Sequence, residues 1–198
     1  MLNTQSGNDM KHLVLTALAV VLTPVVAQAD VIDSARLGVM AHNIKVTDGK
    51  NANKEDGVNI NGELRFHSPD FLKIIWSPHP YVMASVNSSG GTSYAGFGLE
   101  YDWEFADGWH FEIGEGYVIH DGDLDAEGDT ASERAAYGNE HLLLGSRDLF
   151  RTNFALTRDF GDEWAGQLIF EHLSHGQILG NGRNQGLDEI GIRMIRKF

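Results

Sequence analysis

Apolar and polar residues alternate with a period of two along most of the chain after residue 30. In one segment the residues of the apolar parity are Phe97, Leu99, Tyr101, Trp103 and Phe105. Because the side chains of a strand point alternately to its two faces, this pattern predicts strands with one apolar and one polar face. We predict eight strands, near residues 34–43, 58–66, 80–88, 96–105, 109–119, 142–158, 164–175 and 187–198.

The connections between these strands alternate in length. Residues 106–108 and 159–163 are tight turns. The long connections, which are polar and rich in glycine, are residues 44–57, 120–141 and 176–186. Short turns at one end and long loops at the other are typical of an outer-membrane barrel. Connection 67–79 is an exception, because it is long where a short turn is expected.

Alternation alone does not separate a membrane barrel from a soluble sandwich or lipocalin, which turns its apolar face inward. Three features favour the membrane. The apolar faces are rich in aromatic residues, and the polar faces carry opposite charges such as Glu63 and Arg65 that could pair inside a narrow barrel. The chain also ends on Phe198, which resembles the assembly signal of bacterial outer-membrane barrels. The sequence therefore predicts an all-β fold, an eight-stranded antiparallel outer-membrane β-barrel.

Composition excludes several other classes of protein. With 42% hydrophobic and 22% charged residues, the 198-residue chain is neither a polytopic helical membrane protein nor a disordered polar chain. It has no cysteine, so disulfides, thiolate zinc sites and cysteine nucleophiles are excluded. Its net charge of −13 argues against nucleic acid as a partner.

One acidic stretch resembles the start of a calcium-binding loop. Asp121, Asp123 and Asp125 have the spacing of the first ligands. However, Ala126 stands where that loop needs glycine, and Ser132 stands where it needs a bidentate glutamate. The pattern favours a solvated acidic loop over a metal site.

Residues 1–29 have the pattern of a secretory signal peptide. Lys11 precedes an apolar run over residues 13–26, and Ala27-Gln28-Ala29 follows as a cleavage site of small residues. The run is short for a membrane anchor, which is the alternative reading. We therefore expect residues 30–198 to form the barrel.

The candidate chemistry lies in the last two strands. His172 and Ser174 are two residues apart, so they share a face, with Cα atoms about 6.6 Å apart on an extended strand. That face has the parity of Leu168 and Phe170 and points outward. Asp188 also points outward in the next strand, so pairing of the two strands would bring together a histidine, a serine and a carboxylate. The alternative is a hydrated group of polar residues in the headgroup zone with no catalytic role.

Specific stretches of residues 142–198 resemble the PagL-like lipid A 3-O-deacylases, also called acyloxyacyl hydrolases. The matching stretches are Leu144-Gly145-Ser146-Arg147, Phe150-Arg151, Phe170-Glu171-His172-Leu173-Ser174, Asn184-Gln185-Gly186-Leu187-Asp188 and Phe198. Weaker likeness extends back through Trp76-Ser77-Pro78, Val86-Asn87-Ser88 and residues 117–122. The most specific elements are H-x-S and N-x-G-x-acid.

This resemblance implies a serine-type ester hydrolase with a catalytic triad on the outer wall of the barrel. Carried over by motif, Ser174 is the nucleophile, His172 the base and Asp188 the acid. The family usually has glutamate where this chain has Asp188. Glu189 is adjacent, but its parity places it on the inner face, where Arg193 is its expected ion partner.

The sequence departs from the family at one further position. His175 stands where the family has an asparagine that is expected to help form the oxyanion hole. Backbone N–H groups near His175 and Gly176 could serve instead. Asn184 and Gly186 match the motif and are expected to shape the loop over the site.

The resemblance further implies lipopolysaccharide as substrate, in the outer leaflet of the bacterial outer membrane, with no metal or cofactor required. A homodimer is compatible with the sequence. Lys45, Lys50 and Lys54 in the first long loop could meet the phosphates of lipid A, although a solvated loop is the favoured reading. Two alternative functions stay open, a non-catalytic structural or adhesion barrel and a lipid A acyltransferase.

Overall fold

The eight strands form a closed antiparallel barrel in which each strand pairs with the next and the last pairs with the first. The computed structural model describes residues 31–47 and 49–198, so the predicted signal peptide lies outside the described residues. The strands are β1 Ile32–Ala41, β2 Val58–Phe66, β3 His79–Asn87, β4 Tyr94–Ala106, β5 Trp109–His120, β6 Asp148–Asp159, β7 Trp164–Ser174 and β8 Leu187–Lys197. The predicted fold class is confirmed.

The largest boundary difference from the sequence prediction is at β6, which begins at Asp148 instead of residue 142. The apolar residues before it are buried under the loops. The Leu143 N–H donates to the Gln185 side chain at 2.7 Å, and the Leu144 N–H donates to the Asp123 carbonyl at 2.9 Å. Because these backbone groups bond loops and not a neighbouring strand, the apolar run does not extend the strand.

Charged and polar side chains fill the barrel, and apolar side chains cover its outside. Arg36, which is fully buried, contacts Glu63, Glu100 and Glu112 at 3.1, 2.7 and 2.9 Å. On the outer wall, Phe97 is 60% exposed. This is the reverse of a soluble barrel, and it is the arrangement that a membrane barrel needs.

The expected pairing of Glu63 with Arg65 is wrong, although both side chains point inward. Glu63 pairs with Arg36 and, at 3.0 Å, with Arg193, whereas Arg65 pairs with Asp33 at 2.6 Å. The two residues are neighbours on one face of β2, yet each pairs with residues of other strands of the closed barrel. Sequence spacing does not reveal such contacts across the barrel.

The barrel has two distinct ends. The terminal end holds the first residues of β1, the last residues of β8 and the turns 107–108 and 160–163. The loop end holds connections 42–57, 88–93, 121–147 and 175–186. All four tryptophans belong to the terminal end, where they are Trp76, Trp103, Trp109 and Trp164.

Two connections contain helices that the strand pattern did not predict. A 3-10 helix spans Asp70–Ile75 at the terminal end. A helix that we label α1 spans Ala131–Glu140 at the loop end, where Thr130 and Glu133 form a capping box. None of the helices in the described residues is long and apolar enough to cross a membrane.

Candidate active site on the outer wall

His172 and Asp188 lie directly opposite each other on neighbouring strands β7 and β8. His172 Nδ1 is 2.6 Å from Asp188 Oδ1. The His172 side chain is 28% exposed, whereas that of Asp188 is 2% exposed. The imidazole therefore stays accessible from outside the barrel while its carboxylate partner is covered.

The contact between His172 and Asp188 determines which nitrogen of the imidazole carries the proton. An ionised carboxylate can only accept, so the hydrogen sits on Nδ1 and the Nε2 lone pair stays available. A histidine in this tautomer can accept a proton at Nε2, and its carboxylate partner stabilises the resulting imidazolium.

Ser174 is the last residue of β7 and is partly exposed. It has the same parity as His172 and stands opposite Phe150 of β6. Within the described residues no hydrogen bond joins its hydroxyl to the His172 imidazole. Rotation about one side-chain bond changes the direction of the hydroxyl, and such contacts often tighten only when substrate binds.

Thr47, in the loop between β1 and β2, adds a contact that the sequence did not suggest. Its backbone N–H donates to Asp188 Oδ2 at 2.5 Å, and its hydroxyl lies 2.8 and 2.9 Å from the two carboxylate oxygens. The hydroxyl is also 3.0 Å from His172 Nδ1. Thr47 thus covers Asp188 and contacts both members of the pair. Nothing in its sequence neighbourhood signals this role, because it is 141 residues from Asp188.

Glu189 lies on the inner face of β8 and is fully buried. The expected ion pair with Arg193 is wrong, because Arg193 instead bonds Glu63 and Gln167, at 3.0 and 2.6 Å. Glu189 instead contacts His42 Nδ1 at 2.5 Å and accepts a hydrogen bond from the Tyr94 hydroxyl at 2.8 Å. The barrel wall therefore separates Glu189 from the His172 imidazole.

The first long loop is anchored at its base by His42. The His42 ring contacts Glu189 on one side and, through Nε2, Glu55 at 2.7 Å on the other. Burial disfavours the charged imidazole, but the hydrogen bonds that it donates to these two carboxylates outweigh this effect and raise the pKa of His42 to about 9. His42 and Thr92 in turn lower the pKa of Glu55 against the opposing effect of burial. Protonated His42 thus ties the loop that carries Thr47 to the barrel.

His175 holds the loop after β7 together. Its N–H donates to Asn184 Oδ1 at 3.1 Å, and its imidazole contacts the Arg183 carbonyl at 2.8 Å and accepts from the Gln177 N–H at 3.2 Å. Because both its N–H and its ring are engaged within the loop, His175 does not offer a free donor beside Ser174. The sequence suggested two backbone N–H groups as oxyanion donors, and the one that remains is that of Gly176. This residue is exposed and has a φ of 59°.

Gly186 lies against the His172 ring. A Cβ atom at this position would come within 2.5 Å of His172 Cε1. Only glycine therefore fits beside the imidazole in its present orientation. Asn184, two residues earlier, bonds His175, so the N-x-G-x-acid stretch touches His172 at Gly186 and again at Asp188.

Two of the other charged residues that the sequence singled out, Lys54 and Asp123, have structural partners. Lys54 Nζ donates to the Gly138 carbonyl at 2.7 Å and so connects the first loop to α1. Asp123 bonds the Tyr137 hydroxyl at 2.8 Å. Among the described residues no group of three or more His, Cys, Asp or Glu side chains is arranged to hold a metal ion. Lys45 and Lys50 are exposed, and their contact with phosphate stays a prediction.

An apolar groove of about 780 Å³ runs over the outer wall from the neighbourhood of Ser174. Phe150, which faces Ser174 across the strand pair, is one of its walls. Its other aromatic walls are Phe66, Phe97, Tyr101 and Tyr117. Glu115 is the acidic residue of the groove, and it accepts a hydrogen bond from the Thr152 hydroxyl at 2.7 Å.

The fold and this outward-facing pair define an eight-stranded barrel with a candidate active site on its wall. A solved structure with the same fold is described as the crystal structure of the outer membrane enzyme PagL. It superposes with a TM-score of 0.55 at 15% sequence identity, over 84% of this chain and 99% of the PagL chain. No protein-family model and no curated protein sequence matches the chain. The chain therefore shares the barrel fold of PagL.

Proposed function

We propose that this protein is a lipid A 3-O-deacylase of the bacterial outer membrane, a serine-type esterase that releases an ester-linked hydroxyacyl chain. The observation that carries the proposal is the 2.6 Å contact between His172 and Asp188 on the lipid-facing wall, with Ser174 on the same face. A polar pair facing lipid loses hydrogen bonds with water, so it is costly unless it has a role. The structural likeness to the outer membrane enzyme PagL supports the same class of protein.

The chemistry proceeds by acyl transfer to water. His172 Nε2 removes the proton from Ser174 Oγ as that oxygen attacks the ester carbonyl, and the imidazolium is stabilised by Asp188. The proton passes to the departing sugar oxygen, which leaves an acyl-enzyme. Water, deprotonated by the same imidazole, attacks the acyl carbonyl, and the hydroxy fatty acid is released as Ser174 regains its proton.

The tetrahedral intermediates carry an oxyanion that needs hydrogen-bond donors. The N–H of Gly176 is the candidate donor, because the loop engages the N–H and the ring of His175. His175 and Asn184 act as positioning residues in this proposal. They hold the backbone of the loop over the end of β7. His175 occupies the position where the PagL-like family has an asparagine.

The acyl chain of the substrate has a place beside Ser174. The groove that begins at Phe150 is apolar and open to the outside of the barrel. A hydrocarbon chain lying there would stay in an apolar environment while its ester reaches Ser174. This arrangement supports a lipid substrate over a soluble ester.

The same topology supports the proposed location. The apolar outer wall requires a membrane, and the terminal end faces the periplasm in bacterial barrels. β7 then runs outward and ends at Ser174 in the outer leaflet, where lipopolysaccharide resides.

Mass spectrometry of lipid A from cells with and without this protein tests the proposal. Loss of one hydroxyacyl group is expected, whereas gain of an acyl group would indicate an acyltransferase and no change a non-catalytic barrel. Ser174→Ala should abolish the loss while the unheated protein still migrates as a folded barrel. Ser132→Ala, in exposed α1, is the matched control and should leave the loss intact. Turnover by Ser174→Ala would exclude the proposed nucleophile.

A further inference from the structure

The connection between β2 and β3 exposes a cluster of large apolar side chains at the terminal end. Phe71, Ile74 and Trp76 are 74%, 88% and 86% exposed. They belong to the 3-10 helix and its C-cap, which we call the apolar segment, Asp70–Trp76. Exposed apolar clusters of this kind mark surfaces that bind a partner or a membrane.

The apolar segment is attached to the outer wall of the barrel. The Tyr101 hydroxyl, on the outward face of β4, donates to the Ile75 carbonyl at 2.9 Å. Tyr101 stacks on Trp103 with ring centroids 5.6 Å apart, and Trp103 stacks on Phe111 at 6.5 Å. The segment therefore continues an aromatic row of the wall.

The backbone at the end of the segment is held in an unfavourable conformation. Trp76 and Ser77 have φ of 63° and 57°, in the left-handed region that favours glycine. The Trp76 N–H donates to the Lys73 carbonyl at 3.3 Å, and the Ser77 N–H donates to the Leu72 carbonyl at 3.0 Å. These bonds end the helix sharply, and the side chain of Trp76 stays exposed.

The charges of the apolar segment do not oppose its burial in lipid. Asp70 and Lys73 form an ion pair at 2.8 Å, so they neutralise each other. The wall tryptophans lie at the same end of the barrel. In membrane barrels such aromatic girdles mark the boundary between headgroups and acyl chains.

We propose that the apolar segment binds the phospholipid of the inner leaflet, with Phe71, Ile74 and Trp76 inserted at the boundary between headgroups and acyl chains. The segment lies on the aromatic row of the outer wall, which faces lipid in a membrane barrel. This position favours lipid over a second copy of the chain as the binding partner. The proposal rests on the membrane barrel proposed above, and it does not depend on the esterase chemistry. The segment acts as an anchor that fixes the depth of the terminal end in the membrane.

Tryptophan fluorescence in vesicles of brominated phosphatidylcholine tests this proposal. A variant with Trp103, Trp109 and Trp164 replaced by Phe keeps Trp76 as its single tryptophan. Bromine near the headgroup should quench Trp76 more than bromine near the bilayer centre, and aqueous acrylamide should quench it little. In an all-Phe background, Ala136→Trp places a control tryptophan on exposed α1, and acrylamide should quench this one strongly. Folding of each variant is checked by its faster migration when unheated.

A Trp76→Phe protein, which keeps the three wall tryptophans, separates the possible failures. If lipid bromine quenches the wall tryptophans but not Trp76, the anchor is wrong and the membrane barrel stands. If it quenches neither, both proposals fail. Quenching of Trp76 that disappears when the protein is cross-linked into dimers would show that a second copy covers the segment, and this also overturns the proposal.

Discussion

Thr47 bonds Asp188 with both its backbone N–H and its hydroxyl, and the same hydroxyl lies 3.0 Å from His172 Nδ1. Thr47 lies in the loop after β1, and it contacts a pair of residues on β7 and β8. It therefore reaches across the pairing of β1 with β8 that closes the barrel. Aspartate is one methylene shorter than the glutamate usual in the PagL-like family that the sequence resembles. Thr47 compensates by fixing both oxygens of the shorter side chain.

Thr47→Val should lower kcat about 10-fold or more, because it removes a hydrogen bond to a charged group while keeping the shape and the backbone N–H. Thr47→Ser keeps the hydroxyl and should retain most of the activity. KM should change little in either variant, since Thr47 acts through Asp188. Release of hydroxy fatty acid from purified lipid A provides the measurement. Equal activity of the two variants would exclude a role for the hydroxyl.

Asp188→Asn should lower kcat by roughly 10³–10⁴-fold, because the imidazolium loses its charged partner and His172 loses the correct tautomer. Glu189→Gln is the matched control on the neighbouring residue. It should keep turnover within a few-fold and lower the stability of the barrel, because it alters a buried contact with His42. Single-turnover kinetics and urea unfolding separate the two effects. The reverse pattern would assign the acid to Glu189.

Gly186→Ala should reduce activity about 100-fold without unfolding the barrel. The added Cβ would overlap the His172 ring at 2.5 Å and displace the imidazole from Ser174. Gly182→Ala, in the same loop but with no atom within 4 Å of the added Cβ, controls for loop flexibility, although its φ of 97° adds strain. Comparison of kcat in detergent micelles measures the effect. Full activity of Gly186→Ala would show that the ring can move without consequence.

The stability of the barrel should fall as the pH rises from about 6.5 to 9. The folded protein raises the pKa of His42 from 6.5 to about 9, so protonated His42 stabilises the fold fully below pH 6.5, and this contribution is lost above pH 9. The loss is about 3 kcal/mol at most. Urea unfolding at several pH values measures it, with His42→Gln as the control that should lack this dependence. An identical pH profile in the control would assign the effect elsewhere.

The strand pattern predicted the fold because a membrane barrel repeats one simple rule, apolar outside and polar inside, along every strand. The same parity placed His172 and Asp188 on one face, and the structure brings them together. Parity cannot reveal contacts through the barrel interior, which is why the partner of Glu189 was assigned wrongly. Thr47 was missed because its loop has no periodicity. The capping box of Thr130 and Glu133, by contrast, was readable and would have indicated α1.

The candidate site is complete only when β1 pairs with β8, which is the seam that closes the barrel. Thr47 follows β1 and Asp188 lies on β8, and the Ile44 N–H donates to the Asp188 carbonyl at 2.9 Å across that seam. The first and last strands meet there, so this contact closes the barrel. Before β1 pairs with β8, the carboxylate of Asp188 would lack the contacts of Thr47. We therefore expect the proposed esterase activity to appear only when the wall of the barrel is complete.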